Sequence, residues 1–214
     1  MLWYVCGPTS ARCSDLGESK DLRNHGSSPH SRPMTYLHMA ADVLGFIRTL
    51  SLSNVSLLGH SITLLKGVAK LAMTLALHPE TPADILTKVV VSDIAPVRAK
   101  VSEDTVLHIK GMETIEGNGI TTRKEADEIL EGYEKDPLVR AFLLTNLDTN
   151  SRSAALKFKI PIDILKEGRS EIESFPWAPG ERSFHGNTLF VKGTKSNFFP
   201  EATVTELDTG HWSQ

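Results

Sequence analysis

The chain has 214 residues, 40% hydrophobic and 23% charged, with a formal net charge of -3 at neutral pH. That length can bury one sizeable core, so a single soluble domain with room for an inserted subdomain is expected, neither disordered nor low-complexity. The charge balance excludes an electrostatic footprint for nucleic acid or an anionic membrane, and two cysteines, Cys6 and Cys13, are too few for a disulfide framework and fit a reducing compartment.

Residues 1–20 show neither helical nor alternating periodicity, and Gly7-Pro8-Thr9-Ser10 is loop chemistry, so the segment reads as irregular. It lacks the charged start and long apolar run of a secretory signal, and Arg12 is its only cation before Lys20, a poor mitochondrial presequence. Taken as a genuine N-terminus it implies the cytoplasm and excludes secretion. Asp21 to Ser31 is polar and turn-rich, punctuated by Gly26 and Pro29, and reads as a surface loop.

Thr35 is an N-cap candidate for a helix whose apolar face recurs at Tyr36, Met39, Ala40, Val43, Leu44, Ile47 and Leu50. A strand through Val55 to Leu58 leads by Gly59-His60 to Ser61, and a second helical pattern runs through Leu64, Leu65, Val68, Leu71, Ala72, Leu75 and Ala76. The uncharged run between Arg48 and Lys66 is broken by Ser51, Asn54, His60 and Thr63 among others, so it is not a membrane span. Thr87 to Pro96 is a β-branched run that ends in Asp93, and its lack of alternation suits a strand buried on both faces of a parallel sheet. Helix, strand, helix, strand in this order implies βαβ units and an α/β fold.

From Val97 to about Ala155 the pattern changes to short charged helices over 103–112, 122–133 and 137–146. Strand signals return at Thr188 to Gly193 and Thr203 to Leu207, followed by Asp208-Thr209-Gly210-His211-Trp212. The expected organisation is an irregular segment over 1–20, the first part of an α/β core over 21–96, a helical cap over 97–158 and the second part of the core over 159–214.

The chemistry converges on Gly59-His60-Ser61. In a G-x-S-x-G elbow the serine sits on a strained strand-to-helix turn that exposes its oxygen, and the next backbone N–H, here that of Ile62, helps to bind an oxyanion. Gly59 supplies the first small residue, but Thr63 stands where the second glycine belongs. Alone, Gly-x-Ser reads as a strand-end serine. Ser61, Asp93 and His211 each follow a strand, however, and Ser, Asp, His is the chain order of an α/β-hydrolase triad. Such a serine needs an imidazole to take its proton and a carboxylate to fix that imidazole's tautomer. Against this stand Asp93 as a cap of the following turn and His211 as a surface histidine; His25 and His60 read as structural turn residues.

The blocks Asp21 to Ser31, Leu58-Gly59-His60-Ser61, Val91-Ser92-Asp93-Ile94-Ala95-Pro96, Leu143-Leu144-Thr145-Asn146-Leu147 and Thr209-Gly210-His211-Trp212 together resemble the α/β-hydrolase branch of fungal ethanol acetyltransferases, mitochondrial abhydrolase-domain proteins and small bacterial esterases. The resemblance runs from about Asp21 to Trp212. It implies an α/β-hydrolase fold, a mostly parallel sheet flanked by helices with a helical cap, incomplete at both termini. It further implies a serine esterase or acyltransferase acting on small acyl esters through an acyl-enzyme, no metal or organic cofactor, and a mitochondrial setting. Ser61 would be the nucleophile and His211 the general base and acid. Members of this branch resemble one another in taking the acid from the position of Asp93, and the loop Lys192 to Asn197 holds no carboxylate to replace it. Asp163 matches an alternative acid position in some relatives. Leu143, Leu144 and Leu147 become candidate liners of an acyl pocket, beside an ordinary role in the core.

The chain also departs from that pattern. Nothing before Asp21 matches the relatives' early strands and their His-Gly loop, which supplies an oxyanion N–H; losing one such donor costs on the order of 100- to 1000-fold in rate. Where relatives read Gly-His-Ser-Met-Gly-Gly, this chain reads Gly59-His60-Ser61-Ile62-Thr63-Leu64, and its link to Ala72-Met73 is a few residues longer. A β-branched Thr63 does not allow the approach a glycine allows. Ser196-Asn197 runs straight into Phe198-Phe199-Pro200 where relatives place a helix, and the chain stops at Gln214 before their last one. These departures support a second reading, a truncated or mis-spliced and catalytically impaired relative that only binds acyl ligands or a partner.

Overall fold

The computed structural model describes residues 4–6, 21–60, 67–92, 94–96, 103–148 and 155–191, with the side chains of 4–6, 60 and 173 left aside. The chain divides into two compact units, one of residues 1–22, 35–99 and 171–214, the other of residues 23–34 and 100–170.

The first unit is built on a sheet of β1 (Tyr4–Cys6), β2 (Val55–His60), β3 (Leu86–Ser92) and β6 (Asn187–Val191), in that order. β2, β3 and β6 are parallel, while β1 runs antiparallel along β2, pairing Tyr4 with Leu58 and Cys6 with Ser56. Tyr4–Cys6 is thus extended and paired within the stretch that the sequence reads as irregular, and the remaining residues of 1–20 lie outside the described residues. Three residues are too short to show a period, and their pairing partners lie 50 to 54 positions on, counting from Cys6–Ser56 to Tyr4–Leu58.

Helix α1 (Tyr36–Thr49) begins where Thr35 caps it, its side chain accepting from the His38 N–H, and buries Tyr36, Met39, Ala40, Val43, Leu44 and Ile47. A cap is worth about 1 kcal/mol, whereas each large apolar side chain fully buried contributes about 1.5–3 kcal/mol; the apolar stripe therefore dominates. The stripe packs on α2 (Val68–Leu77), and α2 packs on β2 and β3. On the sheet, Val55, Leu57, Val89 and Val91 are buried, whereas Leu58 and Leu189, in one row with Val90, are exposed. Burial along β3 therefore alternates, with Lys88 exposed and Val90 half-buried, rather than extending to both faces as the unbroken apolar run suggests.

The second unit contains α3 (Glu103–Gly117), α4 (Arg123–Leu130), α5 (Pro137–Leu143) running into a 3-10 turn (Leu144–Asn146), the two-residue strands β4 (Leu147–Asp148) and β5 (Lys157–Phe158), and α6 (Ile162–Glu167). α7 (Arg169–Glu173) follows and crosses the boundary between the units. Thr122 and Glu125 form a reciprocal capping box at the start of α4, and Asp136 caps α5 ahead of Pro137. Ile109, Met112, Ile115, Leu130 and Leu165 are among its buried side chains.

Residues 23–34 belong to this helical unit; Gly26, Ser27 and Pro29 to Pro33 are exposed, as a surface loop predicts, while Asn24, His25 and Met34 are buried. Asn24 is fully buried at φ 65° and exchanges side-chain hydrogen bonds with the N–H and C=O of Ser31, at 2.8 and 2.9 Å. His25 is also buried, its Nδ1 2.9 Å from the Arg23 carbonyl. Arg32 reaches Asp163 and Glu167 on α6, and His30 Nε2 lies 3.0 Å from the Lys159 carbonyl. Polar contacts across more than a hundred residues of sequence hold this loop in place.

Candidate active site

β2 and β3 end level. His60 pairs with Ser92, and Ser92 with Val191 of β6, so three adjacent parallel strands share one C-terminal row. The candidate nucleophile Ser61 is the residue next in the chain after His60, and Asp93 is the residue next after Ser92. Ser61, Ile62, Asp93 and His211 themselves lie outside the described residues, as do Thr63 and the segment 203–207 expected to form the last strand.

What is described is the frame around the link from β2 to α2. A Cβ on Gly59 would stand 2.5 Å from the Ala69 Cα and 2.7 Å from the Val68 carbonyl oxygen, so strand and helix cross at a separation only glycine allows. At Gly67, the N-cap of α2, a Cβ would run into the Tyr36 hydroxyl. Gly59 thus serves as expected, while the helical partner in the close crossing is the backbone at Val68 and Ala69. The sequence pattern predicts helix from Leu64; residues 61–66 lie outside the described residues, and the described helix runs from Val68.

Lys70 was also missed. It is 5% exposed on the first turn of α2, and its Nζ donates to the Ser174 carbonyl at 3.3 Å. The only sequence signal is a lone cation in the otherwise apolar stretch Val68 to Met73.

Asp163 sits in the first turn of α6, with two thirds of its side-chain surface exposed, and is ion-paired to Arg32, which also holds Glu167 at 2.8 Å. The Arg32 guanidinium is the main cause holding the Asp163 carboxyl below the ordinary aspartate value, assisted by the Ile164 N–H. Leu143, Leu144 and Leu147 are all buried. None of them lines the apolar cavity of about 200 Å³ beside α2, which is bounded by Met73, Leu77, Val89, Phe184 and Phe190. Among the described residues there is no group of three or more His, Cys, Asp or Glu side chains placed to hold a metal ion, and no helix is long and apolar enough to cross a membrane.

No family model matches the chain. It is 34% identical over 205 residues to an abhydrolase domain-containing protein of Schizosaccharomyces pombe, covering 90% of this chain and 73% of that protein. It is 34% identical to a probable alcohol acetyltransferase of Saccharomyces cerevisiae and 32% identical to the sn-1-specific diacylglycerol lipase ABHD11 of Mus musculus, covering 90% of this chain in each case but only 62% and 64% of those two relatives. Among solved structures, a marine microorganism esterase superposes with a TM-score of 0.73 at 32% identity, over 86% of this chain and 69% of the esterase. The parallel sheet, the glycine crossing beside the strand end and these relatives agree: the chain belongs to the α/β-hydrolase superfamily, in the branch of abhydrolase-domain proteins, alcohol acetyltransferases and esterases.

Proposed function

We propose that the chain is a serine hydrolase or acyltransferase of small acyl esters, with Ser61 as nucleophile, His211 as general base and acid, and Asp93 as the carboxylate that orients the imidazole. The observation that carries this reading is the crossing of Gly59 against Ala69, next to strand ends His60 and Ser92 that are paired in register. Relatives named as esterase, lipase and alcohol acetyltransferase support the acyl-ester class.

In this mechanism His211 takes the Ser61 proton as the hydroxyl oxygen attacks the ester carbonyl, and the Ile62 N–H donates to the oxygen that becomes negative. Collapse of the tetrahedral intermediate expels the alcohol, which leaves with the proton held by His211. Water or a second alcohol, deprotonated by His211, then attacks the acyl-enzyme; return of the proton to Ser61 frees the acid or new ester. Asp93 is favoured over Asp163 because Asp163 is committed to Arg32, alongside Glu167, within the helical unit. Leu143, Leu144 and Leu147 are the proposed acyl-pocket liners.

Hydrolysis of p-nitrophenyl acetate and butyrate by the purified chain, beside Ser61→Ala, tests the reading; turnover that persists undiminished in the alanine variant refutes it. The second reading, an impaired relative, rests on Thr63 in the glycine position of the elbow. It is upheld if folded wild-type protein turns over neither ester. The mitochondrial setting is a further part of the proposal, tested by whether a fluorescent fusion of the full chain co-localises with a matrix marker.

A further inference from the structure

The first turn of α2 is fixed at three points. Tyr36 of α1 packs on Gly67, Gly59 of β2 packs on Ala69, and Ser174 accepts a hydrogen bond from Lys70. The first two contacts are steric: at Gly59 the neighbour is helix backbone, which leaves no room for a side chain, and at Gly67 it is the Tyr36 ring and hydroxyl. The third is different, because a buried ammonium is costly to desolvate and an apolar side chain of similar length fills the same space without that cost. Its position is also unfavourable, since the N-terminal turn is the positive end of the helix dipole. What lysine adds over an apolar residue is a charge and directed hydrogen bonding, here to the Ser174 carbonyl. That carbonyl stands on a firm base: Ser174 directly precedes Phe175 and Trp177, both buried, whose rings meet edge to face at 5.9 Å and 73°.

We infer that Lys70 is a positioning residue for Ser61, its buried ammonium tying the first turn of the helix that follows the serine link to the Ser174 carbonyl. The inference rests on Ser61 being the nucleophile. Without the tie, packing still holds the body of α2 on β2 and β3, while the turn that receives the serine link gains freedom. A reacting group displaced by about 1 Å can lose on the order of 100-fold in rate.

The test compares wild type, Lys70→Met and Lys70→Arg as full chains, reading the rate of Ser61 modification by a fluorophosphonate, the thermal midpoint and amide exchange at Val68 to Leu71. The expected result is a Met variant that keeps its thermal midpoint, exchanges faster in that turn and labels about 10- to 100-fold more slowly, with Arg restoring most of the rate. A folded Met variant labelled within about twofold of wild type, well short of the tenfold that accompanies a lost positioning contact, overturns the inference. So does a slowing in both variants that merely follows loss of folded protein. Wild type without Ser61-dependent labelling removes the hydrolase reading instead; the exchange data then stand alone, and unchanged exchange in the Met variant overturns the tie itself.

Discussion

The Ala69 Cα lies 2.5 Å from the point where a side chain on Gly59 would begin. No real Cβ fits there, so Gly59→Ala has to push β2 and α2 apart. A forced expansion of this kind costs about 1–3 kcal/mol, and the strand that moves ends at His60, the residue before Ser61 in the chain. The expected outcome is a lowered urea midpoint together with slower ester turnover. Gly45, exposed within α1 with open space around its Cβ position, is the control: Gly45→Ala should stabilise by about 0.5–1 kcal/mol and leave turnover unchanged.

The two candidate acids separate by substitution. Asp93→Asn should reduce kcat by roughly 10⁴-fold, as loss of the tautomer-fixing carboxylate does in serine triads. Asp163→Asn should leave kcat near wild type, since it removes only an exposed partner of Arg32. Steady-state kinetics on a p-nitrophenyl ester distinguishes them, and the reverse pattern assigns the triad to Asp163.

Acid should loosen the helical unit at Glu134. One carboxylate oxygen accepts the Asp136 N–H at 2.8 Å and the other lies 2.7 Å from His108 Nε2, and these contacts, the backbone donor first, hold the carboxyl below its ordinary value. A carboxyl depressed in the folded state stabilises above its unfolded pKa, and that contribution is lost as pH falls through the folded value. Glu134→Gln is therefore expected to be less stable than wild type near neutrality, with the gap closing below about pH 4. Urea titrations at a series of pH values measure it.

Leu130 has no exposed surface, while Leu138 on α5 is 78% exposed. Leu130→Ala should cost about 2–5 kcal/mol through the cavity it opens. Leu138→Ala should stay within about 0.5 kcal/mol of wild type. Chemical denaturation of both variants checks the contrast, which holds if the slopes stay equal and only the Leu130 midpoint moves.

The sequence made α1, β2, β3 and β6 legible because each carries its own signal, a helical stripe from Tyr36 to Ile47 or a β-branched run such as Val89-Val90-Val91. The capped start at Thr35 was legible for the same local reason. β1 was not, since Tyr4–Cys6 is ordered by pairing with Ser56 to Leu58. Nor were the long-range partners of residues 23–34, where Arg32 meets Asp163 and Glu167 some 130 positions later. At the site, Gly59 could be named from the Gly-x-Ser pattern. Ala69 and Lys70 could not, because what they touch becomes visible only once strand and helix have crossed.

The most direct test of the central claim is labelling of the purified, folded chain with a fluorophosphonate, the modified residue located by mass spectrometry beside Ser61→Ala and His211→Ala. The account expects one adduct, on Ser61, absent from the first variant and strongly slowed in the second. A folded wild-type protein that takes no label, or takes it equally in both variants, contradicts it.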